Sequence, residues 1–493
     1  MNETKILEDL FAAYYTARSN KRNTRNALLF EVEMEAKIFE LFNEIIERRY
    51  KPVAGICFVV SRPVKREVFA ADFRDRVIHH FLCNYIVPIF ERHFINDTYS
   101  CRKGKGTLYG VKRADEFIRR CSADYTRDCY VLKLDIKGYF MSMNRRLLCE
   151  KVMAILEEHK QECRFDYELV EYLLKIVIFN DPTKNCKIRG RSSDWSDLPR
   201  SKSLFYARED CGLPIGNLTS QLFGNVYLND FDHFVKDELG MEYYGRYVDD
   251  MIFVHESRER LTEIIPVIRE YLSGRNELIL HPNKIYLQHY TKGVAFLGAY
   301  ILPHRRYILN RTKGNFYACM SSFNRLIAER DPLPSEVAAF VSSVNSYLGI
   351  LLHCSTYKIR RKLLLEQMHP FWWRYVYIRG SMKKVVAISV SKGFKPLVYI
   401  RPYIRRDCEH VGRSCRNVFK VCGHVGRSWQ NVFKVREHVR RSCRNVFKVR
   451  EHVRRSWRNV FKVREHVGRS WRRAYAIRPY IRRDCGYVRK PCL

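Results

Sequence analysis

The sequence predicts an α+β protein with a basic, repetitive C-terminal tail. Three observations carry that prediction. Strand and helix spacings alternate from residue 50 to residue 301, with strands short and bounded by Gly, Pro and Asn. Residues 302–379 then read as helix after helix. From residue 380 the composition shifts: residues 381–493 hold 31 basic and 6 acidic residues. The predicted division is therefore an N-terminal helical segment at 1–49, a mixed body at 50–301, a helical module at 302–379 and the tail at 380–493.

Charge and cysteine usage narrow the function class. The 493 residues carry a formal net charge of +36, with 31 Tyr and 29 Phe. A basic surplus combined with many aromatic rings points to a polyanionic partner, nucleic acid before membrane. The 17 Cys contain no Cys-x-x-Cys, so a zinc ribbon and a thioredoxin-like motif are excluded. Residues 1–5 lack the basic start and apolar run of a signal peptide. No apolar run approaches the roughly 18 residues of a membrane span. No membrane association is expected, and a reducing, cytoplasmic setting fits best.

In chain order, residues 1–50 have helical spacing around a basic break at 18–25. Strands follow at 56–60 and 64–69, then a helix at 73–90. Residues 100–107 form a basic loop with two glycines, which by itself suits a solvated turn as well as a phosphate contact. A β-rich run from Tyr130 ends in Asp135, followed by Gly138 and the aromatic pair Tyr139-Phe140. Taken alone, Asp135 reads as a helix N-cap. Helices are predicted at 144–159 and 166–179, and a polar loop at 180–210. The stretch 212–221 is a Gly/Pro turn with Asn217 or Thr219 as a cap, leading into a helix at 222–239. Strands at 241–244 and 251–254 flank Asp249-Asp250, and a helix at 258–273 follows. Lys284 sits in a turn, 293–301 reads as one apolar strand, and helices are expected at 315–329, 335–352 and 357–368.

The chemistry centres on Asp249-Asp250. Two neighbouring carboxylates on a rigid hairpin repel each other, and a hard divalent cation is the usual compensation. A solvated β-turn is the other reading of that dipeptide. Asp135, at the end of a distant strand, supplies a third carboxylate of the kind that two-metal phosphoryl transfer requires.

In order and residue type, these blocks resemble a reverse transcriptase from about residue 50 to residue 301. Leu134-Asp135-Ile136-Lys137-Gly138-Tyr139-Phe140 is similar to the first metal-ligand motif of that family. Tyr247-Val248-Asp249-Asp250 is similar to the second, and 280–284 with 296–298 to the later palm and primer-grip blocks. The resemblance implies a right-hand polymerase fold: fingers, a palm with an antiparallel sheet, and a helical thumb. It also implies RNA-directed DNA synthesis with two Mg²⁺ ions (Mn²⁺ as a substitute), an RNA template, a DNA or RNA primer and dNTPs. Carried over residue by residue, Asp135, Asp249 and Asp250 would hold the metals, with the Ile136 carbonyl as a further ligand. Phe140 would exclude a ribose 2′-hydroxyl, Lys65 and Arg74 would clamp the triphosphate, Lys284 would support the active site and Tyr247 would brace the primer end.

A narrower resemblance lies in Gly212-Leu213-Pro214-Ile215-Gly216-Asn217-Leu218-Thr219-Ser220-Gln221. Many reverse transcriptases have Pro-Gln-Gly where this chain has Pro214-Ile215-Gly216. The stretch, including Gln221, is similar to the signature of reverse transcriptases from diversity-generating retroelements, as are 66–76 and 102–106. That resemblance implies error-prone copying of a template-repeat RNA, cDNA that diversifies a target gene, and a small basic accessory protein. Ile215 offers only shape where Gln would offer a hydrogen bond, so low fidelity is expected. Two alternatives remain: a template-independent or phage-defence enzyme of the same fold, and an idle RNA-binding protein that retains the fold.

In the tail, His410, His424, His438, His452 and His466 recur every 14 residues, each followed by Val. The apolar residues of the unit do not form one helical stripe. A passive, disordered extension and a sequence-independent RNA-binding arm are both open. Nucleic-acid affinity follows from charge and stacking in either case.

Overall fold

A computed structural model describes residues 3–19, 24–61, 64–163 and 165–388. The repeat tail, with the expectations attached to it, lies outside the described residues.

Three helices open the chain: α1 (Glu3–Ser19), α2 (Arg25–Val32) and α3 (Met34–Ile46). Their apolar stripes, among them Ile6, Leu10, Ile38, Leu41 and Ile45, enter the same core as the body, so the N-terminal segment is not a separate module. The hairpin β1 (Gly55–Val60) and β2 (Arg66–Ala70) then pairs antiparallel. Next come α4 (Phe73–His93), capped by Asp72 on the Arg74 amide, and α5 (Thr107–Cys121). The strand β3 (Tyr130–Asp135) leads into α6 (Tyr139–Ser142), α7 (Arg145–Glu158) and α8 (Tyr167–Phe179). Asn144 caps α7 by accepting from the Arg146 and Leu147 amides. A short strand β4 (Cys186–Ile188) in the expected loop pairs parallel to β1, which completes a three-stranded fingers sheet.

The helix expected at 222–239 begins earlier and is broken: α9 (Leu218–Tyr227), α10 (Asn229–His233) and a wide turn at Phe234–Glu238. Asn217 occupies the cap position of α9, yet its side chain accepts from the Ala71 amide of the fingers at 3.3 Å. The hairpin strands are β5 (Tyr243–Tyr247) and β6 (Asp250–His255), shifted from the predicted 241–244 and 251–254. With α11 (Arg258–Arg275) and β7 (Tyr286–His289) they complete an antiparallel sheet in the order β5-β6-β3-β7.

Side-chain alternation divides this sheet cleanly. Leu132, Leu134, Met251 and Phe253 point into the helical core. Val131, Ile252 and Val254 point the other way, into a smaller core with Phe117 of α5. The apolar stretch 293–301 is two strands, not one: β8 (Val294–Phe296) and β9 (Ala299–Leu302) pair antiparallel across Leu297-Gly298, both at positive φ. Strand β10 (Arg305–Ile308) extends that sheet.

The last module is less purely helical than expected. It comprises α12 (Asn310–Glu329), α13 (Pro334–Leu351) and α14 (Tyr357–Arg361), closed by the hairpin β11 (Val376–Arg379) and β12 (Lys384–Ala387). Its own core runs from Ile308 to Val385 around Phe340 and Trp372, whose rings stack at 3.9 Å, so the module extends past residue 379. The architecture is that of a right-hand polymerase: a fingers sheet, an antiparallel palm sheet backed by helices, and a mainly helical thumb.

Candidate active site

The three carboxylates expected from sequence meet at one end of the palm sheet. Asp135 ends β3, Asp250 begins β6, and the two are cross-strand partners. Both lie on the face that carries Val131, Lys133 and Ile252. Asp249 sits in the β5–β6 turn, which Val248 enters at φ +58°. The strain of a β-branched residue in the left-handed region is held by the packing around it.

That packing begins with a buried ion pair directly beneath the turn. Arg246 and Asp232 are both fully buried, joined by Nε–Oδ1 at 2.7 Å and Nη2–Oδ2 at 2.6 Å. The Tyr244 hydroxyl donates to Asp232 Oδ1 at 2.6 Å, and Thr98 donates to Oδ2 at 3.1 Å. Arg246 Nη1 donates to the Val248 carbonyl at 3.0 Å, which fixes the residue before Asp249. Burial works against the Arg246 charge, but Asp232 more than offsets it and the pKa is raised. On the opposite face of β5, Gly245 lies under the Tyr99 ring; a Cβ there would overlap the Tyr99 hydroxyl.

The electrostatics of the acidic cluster are unfavourable without a cation. Burial pushes the Asp249 pKa up to about 6, with Asp250 and Asp135 adding to the rise and Lys284 opposing it. Asp250 is raised too, by burial first, while Lys133 and Lys284 pull it down. Lys284 Nζ donates to both oxygens of Asp135, at 2.8 and 2.9 Å. It is delivered by 279–281, which pairs with the chain just after β3: Lys137 N–H donates to the Ile279 carbonyl and His281 N–H to that of Asp135. Neither bond of that bridge uses the Ile136 carbonyl. Three converging carboxylates, two of them with raised pKa values, and the Ile136 carbonyl beside them are an oxygen donor set that fits divalent cations.

Residues 66–301 match the family described as reverse transcriptase (RNA-dependent DNA polymerase). The chain carries a reverse transcriptase domain. The domain is of the RNA-directed DNA polymerase class, a nucleotidyltransferase. Protein YkfC of Escherichia coli K12 is 20% identical over 314 residues, 57% of this chain and 75% of that protein. Among solved structures, apo telomerase from Candida tropicalis is similar at a TM-score of 0.39 and 13% identity, covering 64% of this chain and 56% of that one. Telomerase from Candida albicans with a fragment of telomeric RNA gives 0.38 and 10%, covering 69% and 60%. The chain thus spans a little over half the length of those telomerase chains.

The remaining expected residues of the reverse transcriptase domain fall into three places. Tyr247 is the cross-strand partner of Asp250, half-buried at the cluster. Phe140 and Ile215 share a small apolar cluster with Phe69, Met141 and Leu204, where fingers meet palm. The Phe140 ring packs on Gly224 of α9, its carbonyl accepts from the Leu213 amide at 2.8 Å, and the Ile215 carbonyl accepts from the Phe69 amide at 2.8 Å. Gln221 is exposed on α9 and accepts from the Cys101 thiol at 3.1 Å, linking α9 to the basic glycine loop. Lys65, in the β1–β2 turn, is 3.6 Å from Asp197. Arg74 is not brought to the cluster: its guanidinium is bonded to Glu44 and the Lys51 carbonyl, and it stacks on Tyr50. An arginine so engaged at the N-terminal helices is not available as a triphosphate clamp.

Sequence reasoning missed four residues. Arg66, exposed at the start of β2, stands close enough to Tyr247 to pull its phenol pKa down against the burial that raises it. Lys133 has its pKa lowered by burial, with Asp250 and Asp135 drawing it back up. The two-residue spacing to Asp135 puts Lys133 on the same strand face, a signal that was available in the sequence. The Asp232–Arg246 pair gave no such signal, since its members lie 14 positions apart on different elements, α10 and β5.

Proposed function

We propose that this chain is an RNA-templated DNA polymerase of a diversity-generating retroelement, using Mg²⁺. The observation that carries the polymerase reading is the alignment of Asp135 with Asp250 across β3 and β6, with Asp249 in the adjoining turn. Asp135, Asp249, Asp250 and the Ile136 carbonyl would hold two divalent ions, for which Mg²⁺ fits an all-oxygen set and Mn²⁺ substitutes. When bound, such ions lower the pKa of a primer 3′-hydroxyl and neutralise a triphosphate.

The chain's own residues do the rest. Lys284 holds the Asp135 carboxylate in place and offsets its charge. Tyr247 and the β5–β6 turn brace a primer end. Lys65 and Arg66, on the fingers hairpin, supply the cations for a triphosphate. Phe140, fixed against Gly224, bounds the sugar pocket and excludes a 2′-hydroxyl. Ile215 supports the retroelement subtype and its infidelity, because its side chain meets the fingers–palm junction by shape alone. The proposed substrates are an RNA template, a DNA or RNA primer and dNTPs, with a small basic accessory protein as partner. Among the described residues no helix is long and apolar enough to cross a membrane.

The test is Mg²⁺-dependent primer extension on an RNA template, comparing wild type with Asp249→Ala/Asp250→Ala and sequencing the cDNA. Extension by the wild type alone, with errors gathered opposite template adenines, supports both levels of the proposal. Accurate extension keeps the polymerase and removes the mutagenic subtype. No extension, with cognate RNA and a basic accessory protein supplied, overturns the proposal in favour of an RNA-binding role.

A further inference from the structure

A second group of metal-binding side chains lies away from the carboxylate triad. His93 is the last residue of α4, Glu158 is the last of α7, and His159 follows it at the C-cap. One donor atom from each lies within 4.8 Å of the others. His93 Nε2 and His159 Nδ1 are 3.4 Å apart, with the rings edge to face at 77°. Two ligands on a tetrahedral zinc ion, each at about 2.0–2.1 Å, are separated by about 3.3–3.4 Å. The imidazole spacing is that of a tetrahedral edge.

The surroundings suit the task. His93 is half-buried, so its ring is partly shielded from water. Its backbone is held from a third helix, because His233 Nε2 donates to the His93 carbonyl at 2.9 Å. Arg92 and Glu162 pair at 2.7 Å across the same two chain segments. The half-buried Cys163 thiol donates to the His159 carbonyl at 3.3 Å, which ties down the chain just after the cluster. In the metal-free alternative His159 Nδ1–H is the donor, shared between the Ile155 carbonyl at 3.2 Å and His93 Nε2 at 3.4 Å.

We propose that His93, Glu158 and His159 bind a zinc-class divalent cation that ties the C-terminal end of α4 to that of α7. The role is structural. Helix α7 has 14 residues and is therefore about 21 Å long. Its N-terminal end follows α6 on the chain that leaves β3 after Asp135, so the proposed cation would sit at the end of α7 away from that connection. The proposal does not rest on the polymerase reading.

The experiment strips the full-length protein with EDTA and titrates it with Co²⁺ in excess Mg²⁺, following tetrahedral d–d absorption and thermal unfolding of the body. Every variant keeps the tail with its repeated histidines, so the readout is the difference from wild type. His93→Gln and His159→Gln are expected to lose one equivalent of tetrahedral Co²⁺ and the accompanying rise in Tm. Glu158→Gln, a change at an exposed position, is expected to weaken binding tenfold or more with the fold intact. Asp249→Asn/Asp250→Asn is expected to retain the equivalent. The same stoichiometry and Tm shift in wild type and His159→Gln would overturn the proposal. So would a Tm that metal does not raise in wild type, since that would leave the rings as a hydrogen-bonded pair.

Discussion

Replacing Asp249 with Asn is expected to make the metal-free protein more stable while abolishing synthesis. The Asp249 pKa rises from the usual 3.8 to about 6 on folding. At roughly 1.36 kcal/mol per pKa unit this is about 3 kcal/mol of destabilisation once the group is ionised. The side chain is partly open to solvent, so screening reduces the figure to about 2 kcal/mol. A raised carboxylate pKa favours the folded state at low pH, where the group is protonated, and the advantage is lost as pH rises through 6. Asn mimics the protonated form. Its gain is therefore full above about pH 6.5, shrinks between 6 and 3.8, and vanishes below that window. Urea unfolding in EDTA at pH 7.5 and again near pH 4.5 measures this directly. Added Mg²⁺ is expected to narrow the gap, because the Asn variant lacks one of the proposed carboxylate ligands. Equal or lower stability of Asp249→Asn at pH 7.5 without metal would refute the reasoning, as would a gain that persists unchanged at pH 4.5.

Other perturbations read different parts of the same site. Lys284→Ala removes the cation that lowers the pKa values of Asp249 and Asp250, so the acid limb of the kcat/KM profile moves to higher pH and activity at pH 7 falls about tenfold; Lys284→Arg restores the limb. Asp232→Ala leaves Arg246 buried and unpaired, and is expected to destabilise the protein by about 3–5 kcal/mol in denaturant titrations. Gly245→Ala drives a Cβ into Tyr99, which lowers Tm and loosens the β5–β6 turn, with activity falling further than stability predicts. Ile215→Gln is expected to reduce misincorporation several-fold in sequenced cDNA while leaving the unfolding midpoint within about 1 kcal/mol of wild type.

How much of this was legible in the sequence depends on how local each cause is. The triad was readable because each carboxylate ends or begins a short apolar strand, a pattern set by period-two alternation. Lys284 was readable only as a turn residue of a known block; its pairing with Asp135 requires a bridge formed 149 residues apart in sequence. The run 293–301 looked like one strand because Phe296-Leu297-Gly298-Ala299 is uniformly apolar. Only the positive φ at Leu297 and Gly298 turns it into a hairpin. Asn217 looked like a cap and was drawn instead to the Ala71 amide, a tertiary bond that outcompetes the local one. Arg74 looked like a phosphate ligand because its block resembles a fingers motif, but Glu44 and Tyr50, contributed by the N-terminal segment, claim it first. The short strands β4, β11 and β12 carry too few residues for periodicity to register.

The Asp232–Arg246 pair explains why the domain keeps so unfavourable a cluster at all. A turn bearing Asp249 between two acidic neighbours would relax if its backbone were free, moving the carboxylates apart into water. Arg246 prevents this by holding the Val248 carbonyl at 3.0 Å while its own charge is satisfied below the sheet. The strain at Val248 and the raised pKa of Asp249 are two expressions of one constraint: the palm fixes the carboxylates closer than they would choose without a cation. The buried pair need not add net stability to do so, since removing both charges together in favour of apolar groups is often neutral. Its contribution is geometric. A double variant such as Asp232→Leu/Arg246→Met is therefore expected to fold with stability near wild type and yet bind Mg²⁺ weakly, with the Asp249 pKa moving back toward 3.8 as the turn relaxes. Retention of tight Mg²⁺ binding in a folded double variant would show that the sheet alone suffices to hold the triad.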